Sequence, residues 1–530
     1  MHEPSAWLDR FFASYYATRP VNATFIGVHE HDQRLPDFSE NGSADTLAEM
    51  AGLLEASEGA GPDSLGPVDW LDVRLARGFL RLQIWEYQSE HFQRGNPCTY
   101  TGEAAFGLLS LFLSDFAPLA ERIEAAVARL AAMPRLLGQA RTQLREAPRP
   151  WTERAARECT GLLAFLGDGV ELLASENANP QDAFKVEAAR AASAVADFRR
   201  YLEAELATRH RDRYACGEEA LALYLRDGHF LPDSAEDIVR YAEAELDRAA
   251  AAPSAPARPA SAEGASDDRG ARYRQIWDQA RAAAEAQQLV TWPSLPIRYR
   301  ELPAWARSAA PYLYFLPYRS PAAVARPPVH DYWVAPAPAA DDDTTIRLNH
   351  VIHHGGLGHH VQNASAFKAA SRIGRIAAVD CASRIAMFCG GTMAEGWACY
   401  ATDLMGEVGF LTPGEQEAER RTRMRMCARA VADVRLHQGR WTLDETAGFY
   451  QRRAGMPPAA ALGEAVKNSM FPGAALMYVM GTDAIHGLRR ELAGRDRDRF
   501  SLRGFHDAFL SHGSVPVSLI AEAMRSGQTC

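Results

Sequence analysis

Five of the chain's 16 histidines, His350, His353, His354, His359 and His360, fall within eleven consecutive residues. Imidazole is the commonest protein metal ligand, and several rings converging on one point suit zinc or another divalent transition metal. Spacing sets a condition on that chemistry. His353 and His359 are six residues apart, about 9 Å along a straight helix, so they can share an ion only if the helix breaks between them. Gly355, Gly356 and Gly358 lie where a break is least costly. The competing reading is a polar helix whose histidines face solvent or are satisfied by hydrogen bonds; the glycines favour the metal.

A second element supplies an acid. Met393 to Leu404 reads as an amphipathic helix on which Glu395, Cys399 and Asp403 follow at i, i+4 and i+8 and share a face. A carboxylate about 35 residues after a histidine pair suits a third zinc ligand. The alternatives are a solvated surface acid for Glu395 and a small buried apolar residue for Cys399. The expected ligand set is His353, Glu395 and one of His359 or His360. His359 is preferred, because a six-residue gap closes more easily than a seven-residue one.

The elements that must position these residues are helical. Trp7, Phe11, Phe12 and Tyr15 recur at helical spacing, with Ser5 as an N-cap. Residues 67–92, 117–147, 151–175, 181–207 and 234–251 are long and amphipathic, and Ser234 before Glu236 and Asp237 reads as a cap. Residues 251–270 are a low-complexity Ala/Pro/Ser/Gly stretch, read as a linker with a lid as the alternative. A helix near 270–288 follows. Then comes a proline-rich aromatic stretch, Trp292 to Pro338, where short strands and turns are expected. Helices resume near 344, and no internal repeat is visible. The expectation is a mostly α molecule with minor β and a deep groove between two helical lobes, 1–250 and 271–530, which need not be contiguous in sequence.

These motifs, in order, resemble the bacterial domain-of-unknown-function-885 family, whose members are similar to zinc metallopeptidases built of long helices. The family pattern H-E-x-x-P-G-H-H-x-Q corresponds to His353–Gln362 and E-G-W-A-x-Y to Glu395–Tyr400. D-x-G-x-H corresponds to Asp433–His437, P-G-Q-A-x-x-Y-x-x-G to Pro472–Gly481, and F-H-D to Phe505-His506-Asp507. Leu8-Asp9-Arg10-Phe11-Phe12 and Leu35-Pro36-Asp37 also fit. The resemblance implies a zincin-like architecture. The departures bear on activity. The glutamate that would activate water is His354, the proline is Leu357, a glycine is Arg435, an Arg-Tyr pair is Lys467-Asn468, and a glutamine is Ala474.

A neutral imidazole can serve as a general base near pH 7, so His354 can replace the missing glutamate or act as an extra ligand. Tyr478 and Arg489 are candidates for holding a substrate oxyanion and a carboxylate, the alternatives being a core tyrosine and a surface arginine. Asp433 lies one helical turn before His437, which reads as a pair supporting the ligands from behind; His506 is either a similar donor or a helix cap. The expected function is metal-dependent hydrolysis of an amide or peptide-like C–N bond in a small or short peptide-like substrate. The alternatives are a non-hydrolytic metalloenzyme, a lyase or cyclase, and a catalytically inactive binding protein.

The bulk composition sets outer limits. A length of 530 residues exceeds one compact core. A net charge of −10 argues against a general nucleic-acid binder. No run of about 18 apolar residues marks a membrane span. The start, Met1-His2-Glu3-Pro4, lacks a signal-like pattern. Eight scattered cysteines without a C-x-x-C pair fit a reducing compartment, so a cytoplasmic location is expected.

Overall fold

The computed structural model describes residues 4–62, 64–177, 182–252, 268–313, 317–334, 342–382 and 384–527. Most of the 251–270 stretch, and Tyr314 and Phe315, lie outside these residues. The described chain is mostly helical, with one two-stranded sheet. The amphipathic segments form helices Pro67–Gln88, Leu119–Gln143, Asp182–Ala204 and Ala235–Ala251. The 151–175 segment is a helix interrupted by a π turn at Phe165–Gly169. Ser234 caps its helix reciprocally with Asp237. The first helix is described from Pro4, and the expected Ser5 cap rests on a side chain outside the described residues.

The chain divides into two compact units, each discontinuous in sequence. The first comprises Met1–Arg213, Leu302–Pro327 and Val379–Ala386. Its core gathers the aromatic stripe of the first helix, where Phe11 meets Phe79 edge-on at 6.0 Å and Tyr15 meets it at 5.4 Å. The second comprises Tyr214–Glu301, Pro328–Ala378 and Met387–Cys530. Residues 214–250 group with the second unit. Ile238, Val239, Ala242 and Leu246 form one apolar stripe on helix Ala235–Ala251 and are buried against Cys427, Ala428 and Val431 of the second unit. A stripe announces that a helix face is buried but not against which partner.

The sheet lies in the proline-rich aromatic stretch of the second unit. β1 (Ile297–Glu301) pairs in parallel with β2 (His330–Val334), Tyr299 opposite Tyr332. The Tyr332 hydroxyl contacts His350 Nδ1 at 2.5 Å, tying the sheet to the segment that carries the histidines.

The Glu395 helix (Gly391–Glu407) and the Tyr478 helix (Met477–Asp496) touch backbone to backbone. A Cβ on Gly396 would stand 2.6 Å from Gly481, and one on Gly481 would stand 2.1 Å from the Thr392 carbonyl oxygen. Only glycines allow this approach, which fixes Glu395 relative to Tyr478. Gly481→Ala is therefore expected to force the helices apart and to cost at least the ~1–3 kcal/mol typical of overpacking, read as a lowered denaturant midpoint. An unchanged midpoint would show that the contact is slack.

Candidate metal centre

The segment Ile346–Gly355 is wound as a π-helix, and Asp342 caps the short turn Asp343–Thr345 that leads into it by accepting a hydrogen bond from the Thr345 N–H at 2.7 Å. π turns are rare and cluster at functional sites. His353 and His354 stand in the last turn. The chain then reverses: the Gly358 N–H bonds the Ile352 carbonyl at 2.9 Å, and a new helix starts at His359. A Cβ on Gly358 would lie 1.9 Å from the His353 carbonyl oxygen, so the reversal needs glycine there. The Trp397 indole N–H donates to the Leu357 carbonyl at 2.9 Å, fastening the reversal to the Glu395 helix.

The result is convergence. His353 Nε2 and His359 Nε2 each lie 3.6 Å from Glu395 Oε2. Ligand atoms of His353, His354 and His359 all lie within 4.8 Å of one another. A tetrahedral zinc with ~2.0–2.1 Å bonds sets its ligand atoms about 3.3–3.4 Å apart, so the histidine–glutamate spacings fit that ion with small adjustment. The side chains of His353, His359 and Glu395 keep 14%, 12% and 21% exposure, leaving the cluster within reach of solvent.

The electrostatics suit a cation. Burial alone would raise the Glu395 carboxyl, but contacts with His353 and His359 hold it well below the usual range. Burial lowers His353, and His359 lowers it further. Burial also pushes His354 well below an ordinary histidine, helped by His353, His359 and His350. Neutral imidazoles beside a carboxylate are the protonation states that metal ligation requires.

Other residues expected at the site stand differently. His360 is not with the cluster: its Nε2 lies 2.8 Å from the Leu295 carbonyl oxygen, because its place one residue into the new helix turns it away from His353. Arg489 is not open to a substrate carboxylate. Its guanidinium grips Glu407 through two 2.9 Å bonds and donates to the Tyr400 hydroxyl at 3.0 Å. Tyr478 lies beneath the Arg429 guanidinium, 5.2 Å from its ring centre.

Asp433 and His437 do not back the ligands as a pair. The Asp433 carboxylate accepts the N–H groups of Gly473, Ala475 and Leu476 at 2.8–3.0 Å, and His437 Nε2 lies 3.0 Å from the Asn468 carbonyl oxygen. His229 Nε2, 2.7 Å from the Gly473 carbonyl, secures the same turn. Together they hold the entry to the Tyr478 helix. His506 likewise holds structure: Nδ1 donates to the Leu289 carbonyl at 2.6 Å, so Nε2 accepts from the Tyr400 hydroxyl at 2.8 Å.

Arg429 is the residue that sequence reasoning missed. It is paired with Glu464 at 2.7 Å, and its charge adds to the burial that lowers His353. Its signal was its position one helical turn before Asp433, on the face that turns inward.

Burial pushes His229, His437 and His506 down to about 4. Their folded values lie below an unfolded histidine near 6.5. Their contribution to stability is complete above about pH 6.5 and is lost as pH falls toward 4. Asp433, which burial pushes up to about 7, acts in the opposite sense. Nitrogen NMR of the histidine rings at pH 5 separates the groups: these three should remain neutral, His506 with its proton on Nδ1. Protonated rings at pH 5 would contradict the hydrogen bonding described.

Comparison with known proteins places this arrangement in context. No curated protein matches the chain. A structure described as a "putative lipoprotein of unknown function" from Shewanella oneidensis is similar over 99% of this chain and 100% of its own, with TM-score 0.77 and 20% identity. A "putative lipoprotein" from Colwellia psychrerythraea is similar over 99% of this chain and 98% of its own, with TM-score 0.77 and 17% identity. At such identities the likeness is one of fold. The profile of a family of bacterial proteins of unknown function, DUF885, matches residues 20–524, and the chain belongs to that family.

Proposed function

We propose that the chain is a metal-dependent hydrolase of zincin-like architecture, cleaving an amide or peptide-like C–N bond in a small substrate. One observation carries the reading: two imidazole nitrogens from opposite sides of a glycine reversal stand at equal distance from one carboxylate oxygen, at near-tetrahedral zinc spacing. His353, His359 and Glu395 would hold the ion, zinc before other divalent transition metals. A bound zinc supplies Lewis acidity and brings the pKa of water to about 7. His354, beside the ligands and neutral, takes the proton of the attacking water. Tyr478 donates toward the developing oxyanion, with the Arg429 charge over its ring favouring negative charge there.

A second reading rests on His354. Its ring lies within 4.8 Å of His353 and His359. As a fourth ligand it would close the coordination shell, and closed shells are structural. The chain would then be a binding protein, or a lyase or cyclase if a ligand gave way to substrate. The cytoplasmic location expected from the sequence belongs to this proposal as well. The names of the two similar structures point elsewhere, and cell fractionation decides. No helix among the described residues is long and apolar enough to cross a membrane.

The tests separate the readings. Purified protein should carry about one zinc per chain by elemental analysis, and Glu395→Gln should lose most of it. Zinc retained at full stoichiometry by Glu395→Gln would refute the ligand set. For a library of N-acylated amino acids and short peptides, His354→Ala should keep the metal and lose turnover by about 10²–10⁴-fold. Loss of metal in the same variant would favour the four-ligand reading. His354→Glu, which restores the family's glutamate, should gain weak activity on unmodified dipeptides. A wild type that already cleaves varied peptides efficiently would show that an imidazole base imposes no restriction.

A further inference from the structure

Two of the five clustered histidines, His350 and His360, have no part in the proposed chemistry. His360 serves the backbone at Leu295. His350, four residues before His354 and buried, packs against the site itself. Its ring is held from two elements. The Tyr332 hydroxyl of β2 lies 2.5 Å from Nδ1, hydrogen-bond distance whichever of the two groups donates. Tyr273, on helix Arg269–Ala286, packs against the same ring with centroids 5.6 Å apart. Both tyrosines are fully buried. His350 is thereby fixed, and its ring lies 29° from parallel to that of His354, with centroids 6.4 Å apart, inside the range of aromatic contact. His354 also meets His353 edge-on at 4.9 Å and His359 at 5.6 Å, 30° from parallel. Of these three imidazoles, His350 alone lies outside the proposed ligand set.

We propose that His350 is the positioning residue for His354, held in turn by Tyr332; the proposal rests on the reading of His354 as the base. The need for such a residue follows from the exchange of glutamate for histidine. A carboxylate presents either of two equivalent oxygens to water. A neutral imidazole presents one unprotonated nitrogen, so it serves as a base in one orientation of its ring, and turning the ring over puts carbon where nitrogen was. The ligand histidines are oriented by the ion they hold. A base that is not a ligand has no such restraint, and its rotamer must be locked by packing around it. The His350 ring supplies that packing. Tyr332 and Tyr273 are rigid parts of the sheet and of a neighbouring helix, so the restraint on His350 is passed to His354. The π-helical winding that brings His353 to the cluster also sets the His350 and His354 rings against each other.

Tyr332→Phe removes one oxygen atom and leaves every ring in place. Full-length protein labelled with carbon-13 in its histidine rings is compared by NMR with and without zinc, the His354 and His359 resonances being identified by their loss in His354→Ala and His359→Ala. In Tyr332→Phe the His354 resonance is expected to shift or broaden while that of His359 stays. In the zinc-loaded variant, kcat on the best-cleaved N-acylated amino acid should fall about tenfold or more, with KM and zinc content unchanged. Circular dichroism establishes folding. If Tyr332→Phe is not folded, His350→Gln, which keeps a polar partner for Tyr332 and removes the ring, carries the same test. An unmoved His354 resonance or an unchanged kcat in a folded variant overturns the proposal. So does a fall in kcat matched by a loss of zinc, which would make His350 a support of the ligands. A wild type that takes up no zinc and cleaves nothing refutes the hydrolase reading instead, and the orientation of His354 is then decided by the resonance of the metal-free protein.

Discussion

The candidate site depends on one backbone event, the reversal of the chain between His353 and His359. Without it the two rings belong to successive turns of a helix and cannot face the same point. The reversal uses a π-helical approach, which leaves His353 in a wide last turn, and a hydrogen bond from Gly358 back to Ile352. A side chain at Gly358 would collide with the His353 carbonyl. The glycines are thus a geometric requirement of the histidine convergence, and the cost of three flexible residues is met by the packing around them.

That packing comes mainly from the Glu395 helix. Trp397, two residues after Glu395, is buried and holds the Leu357 carbonyl, so the helix that supplies the carboxylate also clamps the loop that supplies the histidines. The same helix is set against the Tyr478 helix by the Gly396–Gly481 contact. The Tyr478 helix is in turn anchored at its start by the Asp433 carboxylate, which gathers three backbone N–H groups. The family's separate motifs become, in three dimensions, successive supports of a few side chains. This explains why they are scattered over more than a hundred residues.

Much of this was legible in the sequence, and the rest fails for identifiable reasons. The helical character followed from periodicity, and the strands fell inside the proline-rich aromatic stretch. Clustering of histidine and glycine pointed to a reversal, and the spacing rule favoured His359 over His360. What periodicity cannot supply is the partner of a buried face. Asp433 and His437 share a face and stand 3.7 Å apart, but the hydrogen bonds that hold each go to the backbone at Gly473–Leu476 and at Asn468, which no periodicity announces. Arg489 looked available because its partner Glu407 lies 82 residues earlier. Arg429 stayed hidden because its relation to His353 and Glu464 exists only in the folded chain. Residues 214–250 joined the second unit for the same reason.

The reading of the cluster as a metal centre is tested most directly by anomalous X-ray diffraction at the zinc absorption edge from crystals grown with equimolar zinc. The account predicts one strong peak in the second unit, about 2.0–2.2 Å from His353 Nε2, His359 Nε2 and a Glu395 carboxylate oxygen, with His354 outside bonding distance. A peak bonded to His354 in place of Glu395, or no peak between these side chains, would contradict it.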